Sequence, residues 1–421
     1  MAQTISWQES IPVAGSYDVI VAGGGMAGVA AALSAARMLT TARILEKSTT
    51  LGGLATLGLI NFWVPLCNGR GKQVIRGMAE ELLRLSIRYG YDSLPPEWEN
   101  GEPEAPTNTR YITRFSVGIF GLALMRLLRD EGVDVLYDAL VSMPVMEDGH
   151  CRGLIIDGKS GRQYYEAGMV VDATGDCDVL KRAGVPVVDG GNYFTMIAMG
   201  TNLKQCRMAV EAGSIEKAYC TYMGGPSSLH GKGHPQDMPK FVGASTEMVN
   251  DFLQKNQLLL FDKIKDQPRN ERDIFMLPGM AQLRTTRHID GDYTLSMADL
   301  YRHQETSVGA IGDFEYRDRL YEVPFGTLVR TGYNNLITCG RSAAAEGWAW
   351  DALRVIPPAV LTGQAAGIAA AQALDANVPL PQLPIAPLQK ALAETGVLIH
   401  FDDAWIPENR EDVSGAAEGH L

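Results

Sequence analysis

Short unbroken apolar runs alternate along this chain with longer stretches of helical period, and the first such pair is the clearest. Residues 17–53 read YDVIVAGGGMAGVAAALSAARMLTTARILEKSTTLGG. The run from Val19 to Ala22 has the length of a buried strand. The Ala-rich stretch from Val29 to Leu39 suits a helix. Between them Gly23, Gly25 and Gly28 stand in G-x-G-x-x-G spacing, the strand–turn–helix context that a dinucleotide-binding turn needs. Gly23 permits the tight turn, Gly25 leaves room for a pyrophosphate against the backbone, and Gly28 lets helix and strand pack closely. The helix N-terminus then offers free N–H groups to phosphate. A second strand, Ala42 to Leu45, ends at Glu46, 18 residues after Gly28. An acidic residue there accepts hydrogen bonds from a ribose and repels a 2′-phosphate. The pattern predicts a bound dinucleotide.

Further on, Lys47 is followed by Leu51-Gly52-Gly53-Leu54-Ala55-Thr56. That turn suits either backbone lying against a ligand or an ordinary loop. An apolar segment, residues 57–68, ends near Cys67, a thiol that either faces a ligand or serves as a small buried hydrophobe. Residues 74–90 have helical period and stop at Gly90. The acidic, Pro-rich stretch 93–108 predicts a surface loop. A helix over 118–130, a strand over 133–137 and a hairpin over 148–165 follow. Met169 to Asp172 reads as a buried parallel-type strand, with Ala173-Thr174-Gly175 as the turn at its C-terminal end, where open α/β sheets bind ligands. From Pro186 to about Val329 the composition changes, and a second, inserted domain is expected. Within it lies QLRTTRHIDGD, residues 282–292. If that run is extended, Arg284 and His288 share one face and Arg287 takes the other. The set is either an anion clamp with His288 as acid or base, or surface charge with a structural arginine. Asn335 to Gly340 forms another short strand, ending at Gly340-Arg341. Pro357-Pro358 suits a helix start, and Gly363-Gln364-Ala365-Ala366-Gly367 leads into an Ala-rich helix. A last helix is expected near 388–394, and a loose tail from Glu408.

With 421 residues the chain has room for two cored domains. Its net charge of −12 disfavours binding to a nucleic-acid backbone. The six cysteines lack C-x-x-C or metal-ligand spacing, so no metal is expected and free thiols of a cytoplasmic protein are. The N-terminus lacks the pattern of a signal peptide. The apolar run 355–374 has membrane-span length, but its prolines, glycines and alanines predict a buried helix.

The segments DVIVAGGGMAGVAAALSAAR, ILEKSTTLGGLAT, VVDATGD, QLRTTRHIDGDYTL, YEVPFGTLV, NLITCGRS and LRVIPPAVLTGQAAGIAAA span residues 18–374. In that order they resemble the bacterial FAD-dependent oxidoreductases of the glutathione-reductase-like flavoprotein superfamily, loosely called fumarate-reductase-like. The resemblance implies an α/β fold: a Rossmann-like FAD-binding domain of glutathione-reductase type with a mostly parallel sheet, and an inserted α+β substrate domain. It implies bound FAD, with Gly23, Gly25, Met26, Ala27 and Gly28 at the pyrophosphate and Glu46 at the adenosine ribose. Lys47, Gly52, Gly53, Leu54, Ala55 and Thr56 would lie near the phosphates and ribityl chain. Ala173, Thr174, Gly175, Gly340, Arg341, Arg354, Val355 and a helix start at Gly363-Gln364 would complete the cofactor site. The family often carries a His-Glu pair after the Gly-Arg, where this chain has Glu346, Gly347 and Trp348. Many flavoproteins have Gly-Asp where it has Gly340-Arg341.

The expected FAD domain is discontinuous, from 16–75, 108–188 and 330–381, with 76–107 and 189–329 as substrate domain and 382–421 as C-terminal helix and tail. There is no second G-x-G-x-x-G unit for a separate NAD(P)H domain. The expected function is two-electron (hydride) redox through flavin N5 on a small polar or anionic substrate, with an unnamed electron acceptor, no nucleic acid and no membrane. The alternative is a flavoprotein that passes electrons to a protein partner. An RNA-modifying flavoprotein is disfavoured by the acidic composition. Arg284, Arg287 and His288 are the catalytic candidates, with Glu346, Trp348 and Asp351 in reserve.

Overall fold

The computed structural model describes residues 5–408; the expected loose tail lies outside them, apart from Glu408. Five strands form a parallel sheet. They are β1 (Val13–Ala22), β2 (Ala42–Leu45), β3 (Asp134–Leu136), the C-terminal part of β6 (Gly161–Asp172) and β7 (Leu336–Thr338). Their order is β3-β2-β1-β6-β7, with Val21 opposite Ile44 and Val171, and Val171 opposite Ile337. β4 (Leu140–Glu147) and β5 (His150–Gly158) continue from the first half of β6 as an antiparallel meander. The hairpin expected over 148–165 is part of this meander, with its turns at Asp148-Gly149 and Lys159-Ser160.

Both faces of the parallel part are covered. Val19 and Val21 turn to the main core, and Ile20 and Ala22 to a second cluster with Val170 and Leu336. That double burial is why these strands read as unbroken apolar runs instead of alternating ones. On the main face lie α1 (Met26–Arg37), α2 (Val117–Asp130) and α3 (Ile356–Ala376). The membrane-length run is α3, buried along most of its length. No helix among the described residues is long and apolar enough to cross a membrane.

Three expectations need correction. The first strand is longer than the apolar run Val19 to Ala22, since β1 already begins at Val13 and pairs with β6. The helix expected over 74–90 spans Met78–Arg88. The stretch 93–108 is not all surface. Trp98 within it is fully buried and stacks on Tyr111 at 4.7 Å, and its indole N–H donates to the Thr109 carbonyl at 2.9 Å. One aromatic side chain outweighs the prolines and acids around it.

Residues 195–276 build a three-stranded antiparallel sheet, Thr195–Asn202 between Cys220–Pro226 and Arg272–Met276. The helix Thr246–Ile264 packs on it through Leu260, beside Met196 and Ala198. The hairpin Ser307–Gly312 with Leu320–Pro324 sends Val308, Ile311, Tyr321 and Val323 into the main core.

Candidate functional site

Three turns meet at the C-terminal edge of the parallel sheet, the edge where such sheets bind ligands. The first follows β1. Gly23 has φ 101°, and a Cβ there would lie 2.6 Å from the Ala173 carbonyl oxygen. A Cβ on Gly28 would collide with the Gly23 carbonyl, whereas one on Gly25 would meet nothing within 4 Å. Gly25 therefore faces open space at the N-terminus of α1. The first turn of α1, through Met26, Ala27 and Gly28, has no side-chain cap and no acidic residue. Its N–H groups and the positive end of its dipole remain for an anion.

The second glycine pair lies against this turn. Gly52 and Gly53 have φ 99° and 53°, and the Gly52 N–H donates to the Gly24 carbonyl at 2.8 Å. Gly53 opens a single helical turn through Leu54 and Ala55, and the Thr56 hydroxyl donates to the Leu51 carbonyl at 2.5 Å. Glu46 is buried at the end of β2. Its carboxylate accepts from the Gly24 N–H at 2.5 Å, the Ser48 N–H at 2.7 Å and the Ser48 hydroxyl at 2.6 Å. Lys47 beside it is exposed. Glu46 thus ties the glycine turn to the β2 end. Glu46→Ala should destabilise the apoprotein by roughly 1.5–3 kcal/mol, because two backbone N–H groups lose a charged acceptor. Urea denaturation measures this, and an unchanged midpoint would refute the tie.

The remaining turns follow β6 and β7. Thr174 closes on Asp172, its N–H and hydroxyl both donating to Oδ1, and Gly175 has φ 85°. Gly340 has φ 73°, and a Cβ there would lie 2.9 Å from that of Ala27, so this turn rests on the start of α1. Arg341 is buried and spends its guanidinium on three partners in two segments. It donates to the carbonyls of Gly175 and Leu283 and pairs with Asp176, each at 2.7 Å. Neither Asp176 nor Trp350, whose indole N–H donates to the Arg341 carbonyl at 2.7 Å, stood out in the sequence, since each gains its role from a contact far away in the chain.

α3 begins at Ile356, after Val355, so Gly363 and Gln364 lie inside the helix and not at its start. Pro357 and Pro358 fit its first turn because they need no donor there. They also remove two N–H groups from the end expected to meet ligand atoms. A Cβ on Gly363 would collide with the Ala27 carbonyl of α1. Gln364 is buried, accepting from the Met78 N–H at 3.2 Å and donating to the Thr395 hydroxyl at 2.8 Å. Both residues hold helices together. Just before α3, Arg354 pairs with Asp351, its Nε 2.9 Å from Oδ1.

The run 284–288 is not a regular strand. The Asn192 side-chain oxygen takes the N–H groups of Arg284 and Thr285 at 2.6 and 2.9 Å, so the chain bends there and pairs only over Arg287–Ile289. Arg284 and His288 consequently do not share a strand face. Arg287 is buried and donates to Asp189 at 3.0 Å and to the Ala244 carbonyl at 3.2 Å. His288 is buried edge-on against Trp350, centroids 4.6 Å apart, and its Nδ1 lies 2.7 Å from the Ile289 carbonyl. A carbonyl only accepts, so Nδ1 carries the proton; burial lowers the pKa and favours the neutral ring.

Arg284 differs from the other arginines here. Its guanidinium makes one long hydrogen bond, 3.4 Å to the Ser228 carbonyl, and no ion pair among the described residues. Burial, then repulsion from Arg354, pushes its pKa down to about 10, with Asp351 opposing. Of the reserve residues, Glu346 is exposed. Trp348 donates to Asp313 at 2.5 Å and stacks on His230 and Phe314 at 5.1 and 5.6 Å. Cys67 is buried, accepting from the Tyr111 N–H at 3.2 Å, and burial raises its pKa.

No curated protein matches the sequence. Among solved structures, the chain is similar to p-nitrophenol 4-monooxygenase from Pseudomonas putida DLL-E4. The identity is 13%, over 90% of this chain and 88% of that one, with a TM-score of 0.47. A geranylgeranyl bacteriochlorophyll reductase-like protein from Thermoplasma acidophilum aligns at 15% identity over 94% and 97%, TM-score 0.45. A myxobacterial chondrochloren halogenase aligns at 14% over 90% and 78%, TM-score 0.46. The family model described as FAD dependent oxidoreductase matches residues 18–210 and 234–392. The chain therefore belongs to the FAD-dependent oxidoreductases, enzymes that bind FAD.

Proposed function

We propose that this enzyme performs two-electron redox on a small anionic substrate held by Arg284. The observation that carries the proposal is a guanidinium, that of Arg284, with no ion pair among the described residues. Arg287, Arg341 and Arg354 each pair with a carboxylate, whereas Arg284 makes no ion pair among the described residues, the nearby Asp351 being paired with Arg354. A partly buried guanidinium without a paired carboxylate is costly, and a carboxylate-bearing substrate would supply one, bidentately. Even with its lowered pKa, Arg284 remains charged at neutral pH. We assign Arg287 and His288 to the frame of the site, since the Arg287 guanidinium pairs with Asp189 and His288 Nδ1 is spent on the Ile289 carbonyl.

The residues at the sheet edge fit the cofactor. The open space at Gly25 and the uncapped start of α1 suit a pyrophosphate. We place Glu46 at the adenosine ribose, where it would keep its hold on Gly24 while using a further lone pair. The turns at Ala173–Gly175 and Gly340-Arg341 would lie beside the rest of the cofactor. FAD, when bound, supplies two-electron chemistry at N5. We take the antiparallel meander on β6 as support for a glutathione-reductase type of domain, and we shorten the expected insertion 189–329 to 189–306, because Val308, Ile311, Tyr321, Val323 and Leu328 pack in the main core.

The test is to titrate the FAD-loaded enzyme with a panel of small mono- and dicarboxylates and follow flavin absorption. At least one should perturb the spectrum saturably. Arg284→Ala should weaken that binding at least about tenfold, the scale of one charge-assisted hydrogen bond, and Arg284→Lys should recover part of it. Equal dissociation constants in wild type and Arg284→Ala would overturn the assignment.

A further inference from the structure

We propose that His303, Glu322 and His400 form a divalent transition-metal site, suited to zinc, that fastens the C-terminal segment to the core. Among the described residues they are the one cluster of metal-ligating side chains whose donor atoms all lie within 4.8 Å of one another. Glu322 stands in the middle of the strand Leu320–Pro324, and its side chain is fully buried. A buried carboxylate needs partners, and this one has imidazoles on both oxygens. His303 Nδ1 is 2.6 Å from Oε1, and His400 Nδ1 is 2.9 Å from Oε2. Backbone N–H groups hold it from behind, Gln304 to Oε2 at 2.6 Å and Phe401 to Oε1 at 3.3 Å.

The surroundings are those of a metal site as well. The other ring nitrogen of His303, Nε2, lies 2.9 Å from Asp403 Oδ1. A carboxylate there holds the Nε2 proton, so that Nδ1 can coordinate once an ion displaces its own proton, the usual arrangement behind a ligating histidine. Asp403 is itself placed by a short helical turn, Asp403–Trp405, which Asp402 caps through the Ala404 N–H. The His303 ring stacks on Phe401 at 4.6 Å. Both imidazoles are nearly half exposed, so an ion can reach them from solvent. Two imidazole nitrogens and a carboxylate make an N/O donor set that suits zinc among the available divalent ions. An ion would replace the protons now shared between each Nδ1 and the carboxylate.

The site joins parts of the chain that are far apart in sequence. The C-terminal segment already touches the Ser307–Gly312 strand, with the Leu398 carbonyl accepting from Ala310 N–H and the Ile399 carbonyl from the Ser307 hydroxyl, both at 2.7 Å. A metal would close that contact at its outer end. Binding of an ion to the folded chain alone would raise its stability.

To test this, the FAD-loaded full chain is stripped with EDTA, given zinc, and dialysed free of excess. Metal is then counted by mass spectrometry and melting is followed with and without zinc. Wild type should retain one zinc per chain and melt at a higher temperature with it. The His303→Gln/His400→Gln double variant should fold, retain no zinc and show no shift. Asp403→Asn should bind about 10–100-fold more weakly in competition with a chromophoric chelator. Zinc-free wild type after this treatment, or equal retention by the double variant, overturns the proposal.

Discussion

Gly25→Val should give a folded protein that carries no FAD. Gly25 has φ −66° and ψ 177°, extended backbone that valine adopts readily. Its Cβ would meet nothing within 4 Å, so the fold has no reason to object. The added methyl groups would stand in the open space before the first turn of α1, where the pyrophosphate is proposed to lie. We expect a drop in FAD affinity of at least about 100-fold, or about 2.7 kcal/mol. Far-UV circular dichroism and the melting temperature of the apoprotein should match wild type. Gly28→Ala provides the contrast, because its Cβ would collide with the Gly23 carbonyl. That variant should lose apoprotein stability, by about 1–3 kcal/mol or more. Full flavin occupancy in Gly25→Val would show that this turn does not hold the cofactor.

What was legible in the sequence was local. Strand, glycine turn and helix at residues 19–37 follow from unbroken apolar runs and fixed glycine spacing, and the backbone turns at Gly23, faces open space at Gly25 and packs closely at Gly28. The short strand at 336–338 was legible for the same reason, double burial, and the partly buried edge strand at 134–136 from its short apolar run. The site beyond the glycine turns was not legible, because it depends on distant partners. Nothing near Arg284 says that Asn192, 92 residues earlier, captures its N–H and breaks the strand. Nothing near Arg341 says that its guanidinium binds Gly175, Asp176 and Leu283 instead of replacing an aspartate at a ribityl chain. The absence of cysteine spacing argued against a metal, while the proposed ligands are two histidines and a glutamate at 303, 322 and 400, which no short motif connects.

Gly363→Val should destabilise the protein whether or not FAD is present. The resemblance placed this glycine at a helix start beside the flavin; the structure places it where α3 crosses α1. A Cβ there would collide with the Ala27 carbonyl, and one on Gly367, a turn further along, would collide with that of Ala31 and lie 2.8 Å from Ser34 Cβ. The obstacles at Gly363 are backbone atoms, so no side-chain rotation relieves them, and α1 would have to move. Alanine in a helix interior is favoured over glycine by about 1 kcal/mol, which works against the clash. Overpacking a well-filled core costs typically about 1–3 kcal/mol, occasionally more. Gly363→Ala should lose stability as well, because its Cβ would meet backbone at 2.2 Å, and valine, larger and β-branched, is the decisive substitution. We expect Gly363→Val to lose about 3 kcal/mol or more in urea denaturation of the apoprotein, and Gly363→Val/Gly367→Val to give no folded protein. If Gly363→Val instead kept the apoprotein midpoint of wild type and lost only FAD, the glycine would be acting on the cofactor, and the packing assignment would be wrong.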